Sequence, residues 1–221
     1  MKIVIQLVLL VIIGVLGYLL YNSISGPVRF NKVKEARYRT VIESLKDIRS
    51  AQLAHQEVTG EFSGNFDGLV KFIDTAQFAI TQRRDTSYAD VEKNKAFGID
   101  EGYFIEEVLI DTLRFQSVKD SLFKDSDRYR TMMKVPIEDI DANFEVQAGV
   151  LEKNDNSYSV FEVKVSKDVI LHDLNKDLLF QEKQVNSVDG VNGAYLKVGS
   201  MSEINTSGNW PKVYDTAKED Q

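Results

Sequence analysis

The sequence predicts an α+β protein: an N-terminal transmembrane helix and a long amphipathic stalk helix packed on an antiparallel β-sheet. Three observations carry that expectation. Ile3 to Tyr21 holds no charged residue and only Gln6 is strongly polar; as a helix it reaches roughly 28 Å, near the thickness of a bilayer's hydrocarbon core. Val28 to Val58 contains neither proline nor glycine, and Val41, Leu45, Ile48, Ala51, Ala54 and Val58 recur every three or four residues, the spacing of one helical face. Beyond Gln77 the rhythm turns extended, and Phe144–Glu152 and Ser159–Ser166 alternate apolar with polar around the turn cluster Lys153–Ser157, the pattern of a β-hairpin with one covered face.

Taken in order, the chain divides into an anchor (1–24), a stalk helix and turn (25–76), a β-rich head (77–215) and a charged tail (216–221). The anchor is longer than the roughly 7–15-residue apolar core of a signal peptide, which favours an uncleaved signal-anchor; a cleaved signal, with Ser23-Ile24-Ser25 before Gly26, is the alternative. Ser25-Gly26-Pro27 is expected to break or kink the helix, because proline lacks an N–H donor. Gly60 is the expected C-cap of the stalk, and a short helix should occupy Gly68–Thr75. In the head, Phe78–Thr81 reads as a strand closed by Arg83-Arg84-Asp85, and Thr86–Lys95 as a capped helix. Tyr103–Phe115 is a β-rich stretch with a bulge or break near Asp111, and Val118–Phe123 a short strand. Asp168–Asp177 either closes the sheet or adds a short helix, and Tyr195–Gly199 is the last strand.

Charge narrows the partners. The chain holds 27 Lys/Arg and 34 Asp/Glu. Residues 1–60 hold eight basic and four acidic residues, leaving 19 and 30 for the remainder. An acidic distal part argues against nucleic acid, whose phosphates require clustered cations. A basic stretch beside an apolar span suits anionic lipid headgroups. Orientation is contested: Arg29, Lys32, Lys34, Arg37 and Arg39 after the span favour a cytoplasmic head, whereas Lys2 before a span starting at Ile3 has the form of an export signal. Export is the preferred reading.

Catalytic and metal-binding patterns are sparse, and the residues predict neither a catalytic set nor a cofactor or metal site. There is no cysteine, which removes disulfides and thiolate chemistry. His55 and His172 are the only imidazoles, and their spacing does not suggest that they meet; His55 reads as a partly buried packing residue. Ser121-Leu122-Phe123-Lys124 matches S-x-x-K without the partner motifs that give it meaning. Asp139-Ile140-Asp141-Ala142-Asn143 opens like a calcium loop, but Phe144 replaces the glycine of the sharp turn, so it reads as an acidic turn before a strand. Trp210, the single tryptophan, reads as the seal of a core edge.

Taken together, the apolar helix, the long amphipathic helix ending Ala51-x-x-Ala54-His55, the Gly60-x-Phe62-Ser63 turn and Leu69 resemble the N-terminal half of type IV pilins and type II secretion pseudopilins. With Leu196-Lys197-Val198-Gly199-Ser200 and Gly208-Asn209-Trp210, they also resemble a group of single-pass envelope proteins of Bacteroidota. Prepilins carry a glycine before the apolar run and a glutamate at its fifth mature position; neither stands here. The resemblance implies an inner-membrane protein with a periplasmic, pilin-like head and protein partners in the envelope, a tether rather than a polymerising helix. The expected role is a non-enzymatic structural or assembly component, and the alternative is a membrane-tethered binding module.

Overall fold

The computed structural model describes residues 2–100 and 102–215; the charged tail at 216–221 lies outside the described residues. In chain order the elements are α1 (Lys2–Thr59), α2 (Phe66–Thr75), β1 (Gln77–Ala89), α3 (Val91–Ala96), β2 (Phe104–Ser117) and α4 (Val118–Leu122), followed by β3 (Glu145–Lys153), β4 (Asn156–Ser166), α5 (Lys167–Ile170), α6 (Lys176–Lys183) and β5 (Tyr195–Gly199). The class is α+β, with two antiparallel sheets, β1-β2 and β3-β4-β5, where the sequence suggested one. The chain forms two compact units. Among the described residues, one joins 2–69 to 128–215, and the other is the intervening stretch between 70 and 127.

The expected break at Gly26-Pro27 does not occur. Pro27 lies inside α1, so anchor and stalk are one helix. The missing proline N–H and its ring cost about 3 kcal/mol in a helix interior, yet only one donor is lost. The helix resumes at once, because Phe30, Tyr38, Val41 and Ile42 beyond the proline are buried, and each such side chain contributes roughly 1.5–3 kcal/mol. Of the expected apolar face, Val41, Leu45, Ile48, Ala51 and Ala54 are buried. Val58 is exposed; it is the last residue but one of α1.

That stop is built from three devices. Gly60 takes φ +86°, a left-handed conformation open to glycine at no steric cost, and its N–H reaches the Gln56 carbonyl at 2.8 Å. The fully buried Gln52 amide then clamps the departing chain: it accepts from the Ser63 N–H at 2.9 Å and donates to the Ser63 carbonyl at 2.8 Å. Phe62 lies against Phe161 with ring centroids 4.6 Å apart. The Gly60-x-Phe62-Ser63 turn is thereby tied back to α1 and to β4.

The three-stranded sheet follows the predicted hairpin. Lys153 pairs with Asn156 across the two-residue loop Asn154-Asp155, and both loop residues have positive φ, 52° and 60°, the geometry of a type I′ turn that suits the right-handed strand twist. Along β4, Phe161, Val163 and Val165 are buried, while Glu162 and Lys164 between them are half-buried. β5 adds buried Leu196 and Val198, and α1 packs against β5, so the stalk helix lies on the sheet as expected. Gly199 ends β5 at φ +77°, with the Phe161 carbonyl 2.2 Å from where a Cβ would stand; only glycine fits there.

In the 70–127 unit, β1 and β2 form a long two-stranded ribbon. Ile80 pairs with Arg114 and Thr81 with Thr112, leaving Leu113 as the extra residue of a bulge, two positions from the expected irregularity. Three local expectations are overturned. Arg83-Arg84-Asp85, expected to close the first strand, lies inside β1 and pairs with Ile110, Leu109 and Val108. Thr86–Ala89 continues β1, because each residue has a cross-strand partner from Glu107 to Phe104; helix begins only at α3, where the Asp90 side chain accepts from the Lys93 N–H. Val118–Leu122 is helical rather than extended. Gln77, the first residue of β1, pairs with Ser117, so the strand runs out of partner, and Ser117 caps the turn by accepting from the Asp120 N–H at 3.4 Å.

Candidate functional site

Three places in the described residues combine polar groups with shape. The deepest is a polar cluster inside the first unit. The Lys167 ammonium, fully buried, donates to the Glu182 carbonyl at 2.8 Å, the Glu182 carboxylate at 3.1 Å and the Val191 carbonyl at 2.7 Å. Tyr38 donates to the same carboxylate at 3.2 Å, and Lys34 reaches its other oxygen at 2.9 Å. Burial and the Glu182 carboxylate push the Tyr38 phenol far above its ordinary range. Burial pulls Lys167 down, partly offset by Glu182. An ammonium has three protons to give, and all three are engaged. Its nitrogen therefore has nothing to offer a substrate, and the cluster acts as a clasp joining α1, α5, α6 and the loop at Val191.

The second place is an open cleft of about 510 Å³ between α1 and the segment leading into α6, lined among others by Arg29, Phe30, Val33, Arg37, Leu174 and Leu178. Its wall is set by a forked ion pair: Arg37 donates to the two Asp173 oxygens at 2.5 and 2.9 Å and to the Ile170 carbonyl at 2.9 Å. The guanidinium bonds hold the Asp173 carboxyl down at about 2. Asn175 caps α6 by accepting from the Asp177 and Leu178 N–H groups. Arg37 is thus committed within the protein, whereas Arg29, also on the cleft, is exposed and has no ion-pair partner among the described residues.

The third is the ribbon surface. Phe104, Val108, Ile110, Leu113 and Phe115 of β2 are all exposed, as is Tyr88 of β1. Its connecting end is held by Asn94, which donates to the Tyr103 carbonyl at 3.1 Å and accepts from the Tyr103 N–H at 2.8 Å. A concavity on the same ribbon is lined by Arg83, Asp85, Glu106 and Glu107. Glu106 and Glu107 are consecutive strand residues and point to opposite faces, while Asp85 pairs with Arg83 at 3.2 Å.

The residues singled out in the sequence take structural places. His55 Nδ1 lies 2.6 Å from the Glu61 carbonyl, in the turn after α1. His172 is an exposed neighbour of Asp173. Ser121 is exposed near the end of α4 and Lys124 follows in a left-handed conformation, so the S-x-x-K pair spans a helix end. Asp141 pairs with Lys134 at 3.0 Å, and Asn143 bridges to Lys134 in backbone pairing. Among the described residues no group of three or more His, Cys, Asp or Glu side chains is placed to hold a metal ion.

The two late segments meet. Val198 bridges to Gly208, and Asn209 accepts from the Lys197 N–H at 3.0 Å while donating to the carbonyls of Tyr195 at 2.8 Å and Asn192 at 3.2 Å. Gly208 lies beneath the Trp210 ring, within 2.3 Å of any added Cβ, and the Trp210 indole donates to Asp215 at 3.1 Å. These residues close the edge of the sheet. No family model, curated protein or solved structure matches the chain.

The clasp was missed by sequence reasoning, though a signal existed. Phe161, Val163 and Val165 are the inward positions of β4, and Lys167 is the next in that period of two. A lysine continuing a buried face implies buried acceptors.

Proposed function

We propose that the protein is a non-enzymatic, single-pass membrane protein of the cell envelope. Its pilin-like head lies on the periplasmic side of the inner membrane and serves as a structural or assembly component. The observation that carries this reading is the continuity of α1. One helix is long and apolar enough to cross a membrane in its N-terminal part, and its C-terminal part supplies the core of the body it carries. An anchor that is also a core element transmits position directly, which suits a scaffold. The exposed apolar side chains of the β1-β2 ribbon add a surface for protein partners.

Protease treatment of spheroplasts tests the export half. The head should be digested with the inner membrane intact; a head cut only after lysis would place it in the cytoplasm and end the proposal. Crosslinking in cells tests the assembly half, with a defined hetero-partner or a self-ladder expected. The second reading, a membrane-tethered binding module, is favoured by the cleft at the foot of the stalk, and a chain that stays monomeric under crosslinking would select it.

A further inference from the structure

We propose that Trp210–Asp215 is a latched strap: the Asp215 carboxylate pins it to α1, Tyr214 shuts one side of the Lys167–Glu182 clasp, and loss of the pin frees the strap on a fixed root while the fold stands. The device needs only the first unit and does not depend on the anchoring of α1.

Root and tip are built differently. At the root, the Asn209 side chain bonds Lys197, Tyr195 and Asn192, its N–H donates to the Lys197 carbonyl at 3.1 Å, and Gly208 bridges to Val198. The tip is a single 3₁₀ turn, Lys212–Tyr214. Within it the Tyr214 N–H donates to the Pro211 carbonyl at 3.1 Å and the Asp215 N–H to the Lys212 carbonyl at 2.8 Å, so Tyr214 and Asp215 move as one piece. Lys212 and Val213 are exposed, and polar links hold the turn down. The Lys46 ammonium donates to the Tyr214 carbonyl at 2.7 Å and pairs with Asp215 Oδ1 at 2.8 Å. The Trp210 indole donates to the same oxygen at 3.1 Å, and the Arg39 guanidinium lies over the Tyr214 ring, 5.4 Å from its centre. Asp215 makes two of these four links, which makes it the pin.

The strap's position gives the latch a consequence. Tyr214 is half-buried beside the residues of α1 that enter the clasp. Burial, then Glu35 and Glu182, push its phenol up against the pull of Arg39, and the Tyr38 phenol feels Tyr214 in turn. The clasp ties α1 to α5 and α6 through charges removed from water, and such links weaken when water enters. A closed strap therefore tightens the grip of the body on α1. The groups facing Asp215 are Lys46 and Arg49 from α1 and Trp210 from its own segment; the Lys46 bond first, then Trp210 and Arg49, hold its carboxyl below the ordinary aspartate range. Closure thus has the carboxylate's help above about pH 4 and loses it as the pH falls through the lowered value.

The cysteine-free chain takes a single label cleanly. Full-length chain carrying Lys212→Cys with a nitroxide is compared, in detergent micelles at pH 7, with the same chain carrying Asp215→Asn or Lys46→Gln. Each substitution should raise the mobile fraction of the nitroxide spectrum about fivefold, the upper worth of a half-exposed ion pair, and the double variant should add little to either. Acidification below about pH 4 should mobilise the parent chain and leave Asp215→Asn unchanged. Hydrogen exchange read by mass spectrometry follows the clasp: α6 amides should exchange several-fold faster in both variants, while the β3-β4 hairpin keeps its rate. An unmoved nitroxide in either variant overturns the pin, and an acid response that persists in Asp215→Asn overturns the acid release. A freed nitroxide with unchanged α6 exchange overturns the seal over the clasp. Lost protection in the hairpin as well would make the segment a strut of the whole unit and overturn the latch.

Discussion

The two units of this chain use similar apolar side chains to opposite effect. In the first, Leu45, Ile48, Phe161, Val163 and Leu196 are enclosed between α1 and the sheet. In the second, Val108, Ile110, Leu113 and Phe115 stand in solvent on a ribbon of two strands. A two-stranded ribbon by itself is marginal in water. The lesson is that strand content does not measure core. β2 has 14 residues and almost no buried side chain, whereas β5 has five and brings two of the most enclosed residues in the molecule.

The comparison breaks most severely at the clasp. Lys167→Met keeps volume but strips three hydrogen bonds and leaves the Glu182 and Val191 carbonyls without their buried donor. We expect a loss of about 3–5 kcal/mol, read as a lowered denaturation midpoint of the first unit, because Lys167 is fully buried. A loss below about 1 kcal/mol would mean that Lys34 and Tyr38 suffice to satisfy Glu182.

The same substitution in both units sharpens the contrast. Leu196→Ala, at a fully buried position of β5, should cost about 2–5 kcal/mol. Leu113→Ala, at the exposed bulge of β2, should change stability by less than about 0.5 kcal/mol. Urea melts of the two variants give the answer, and similar losses would show that Leu113 is covered in solution. Reduced crosslinking by Leu113→Ala with unchanged stability would locate a partner surface on the ribbon.

Much of the first unit was legible in the sequence because its signals are local. The heptad-like run from Val41 to Ala54, the turn at Gly60 and the alternation around Asn154-Asp155 each act within a dozen residues. What was hidden depended on partners far along the chain. Pro27 reads as a breaker until Phe30 and Tyr38 are known to be buried just beyond it. Thr86–Lys95 reads as a helix until Tyr88 is seen opposite Ile105, and Val118–Phe123 reads as a strand until the opposite strand is seen to begin at Gln77. The cleft was illegible for the same reason: Arg37 and Asp173 lie 136 positions apart, and no periodicity in the sequence connects them. Only the basic character of the stretch after the span was visible in advance.

Ion pairs give the smallest expected effect and the last comparison. Arg37–Asp173 in the first unit and Arg84–Asp111 in the second are both carboxylate–guanidinium pairs at the surface. They differ in preparation: Arg37 is also fixed by the Ile170 carbonyl, while Arg84 and Asp111 are largely exposed side chains on the ribbon. Surface pairs contribute roughly 0–1 kcal/mol after screening by solvent, so Asp173→Asn should lie near the upper end of that range and Asp111→Asn near zero. Acid titration supplies the sign. The folded-state value of Asp173 is held at about 2, below the roughly 3.9 of an unfolded aspartate, so its contribution is fully present above about pH 4 and is lost as the pH falls toward 2. Chemical denaturation at pH 7 and at pH 2 should therefore show a gap between wild type and Asp173→Asn that closes at the lower pH and narrows in high salt. The Asp111→Asn chain should track wild type at both. A gap that persisted at pH 2 would mean that Asp173 acts by packing against the cleft wall rather than through its charge.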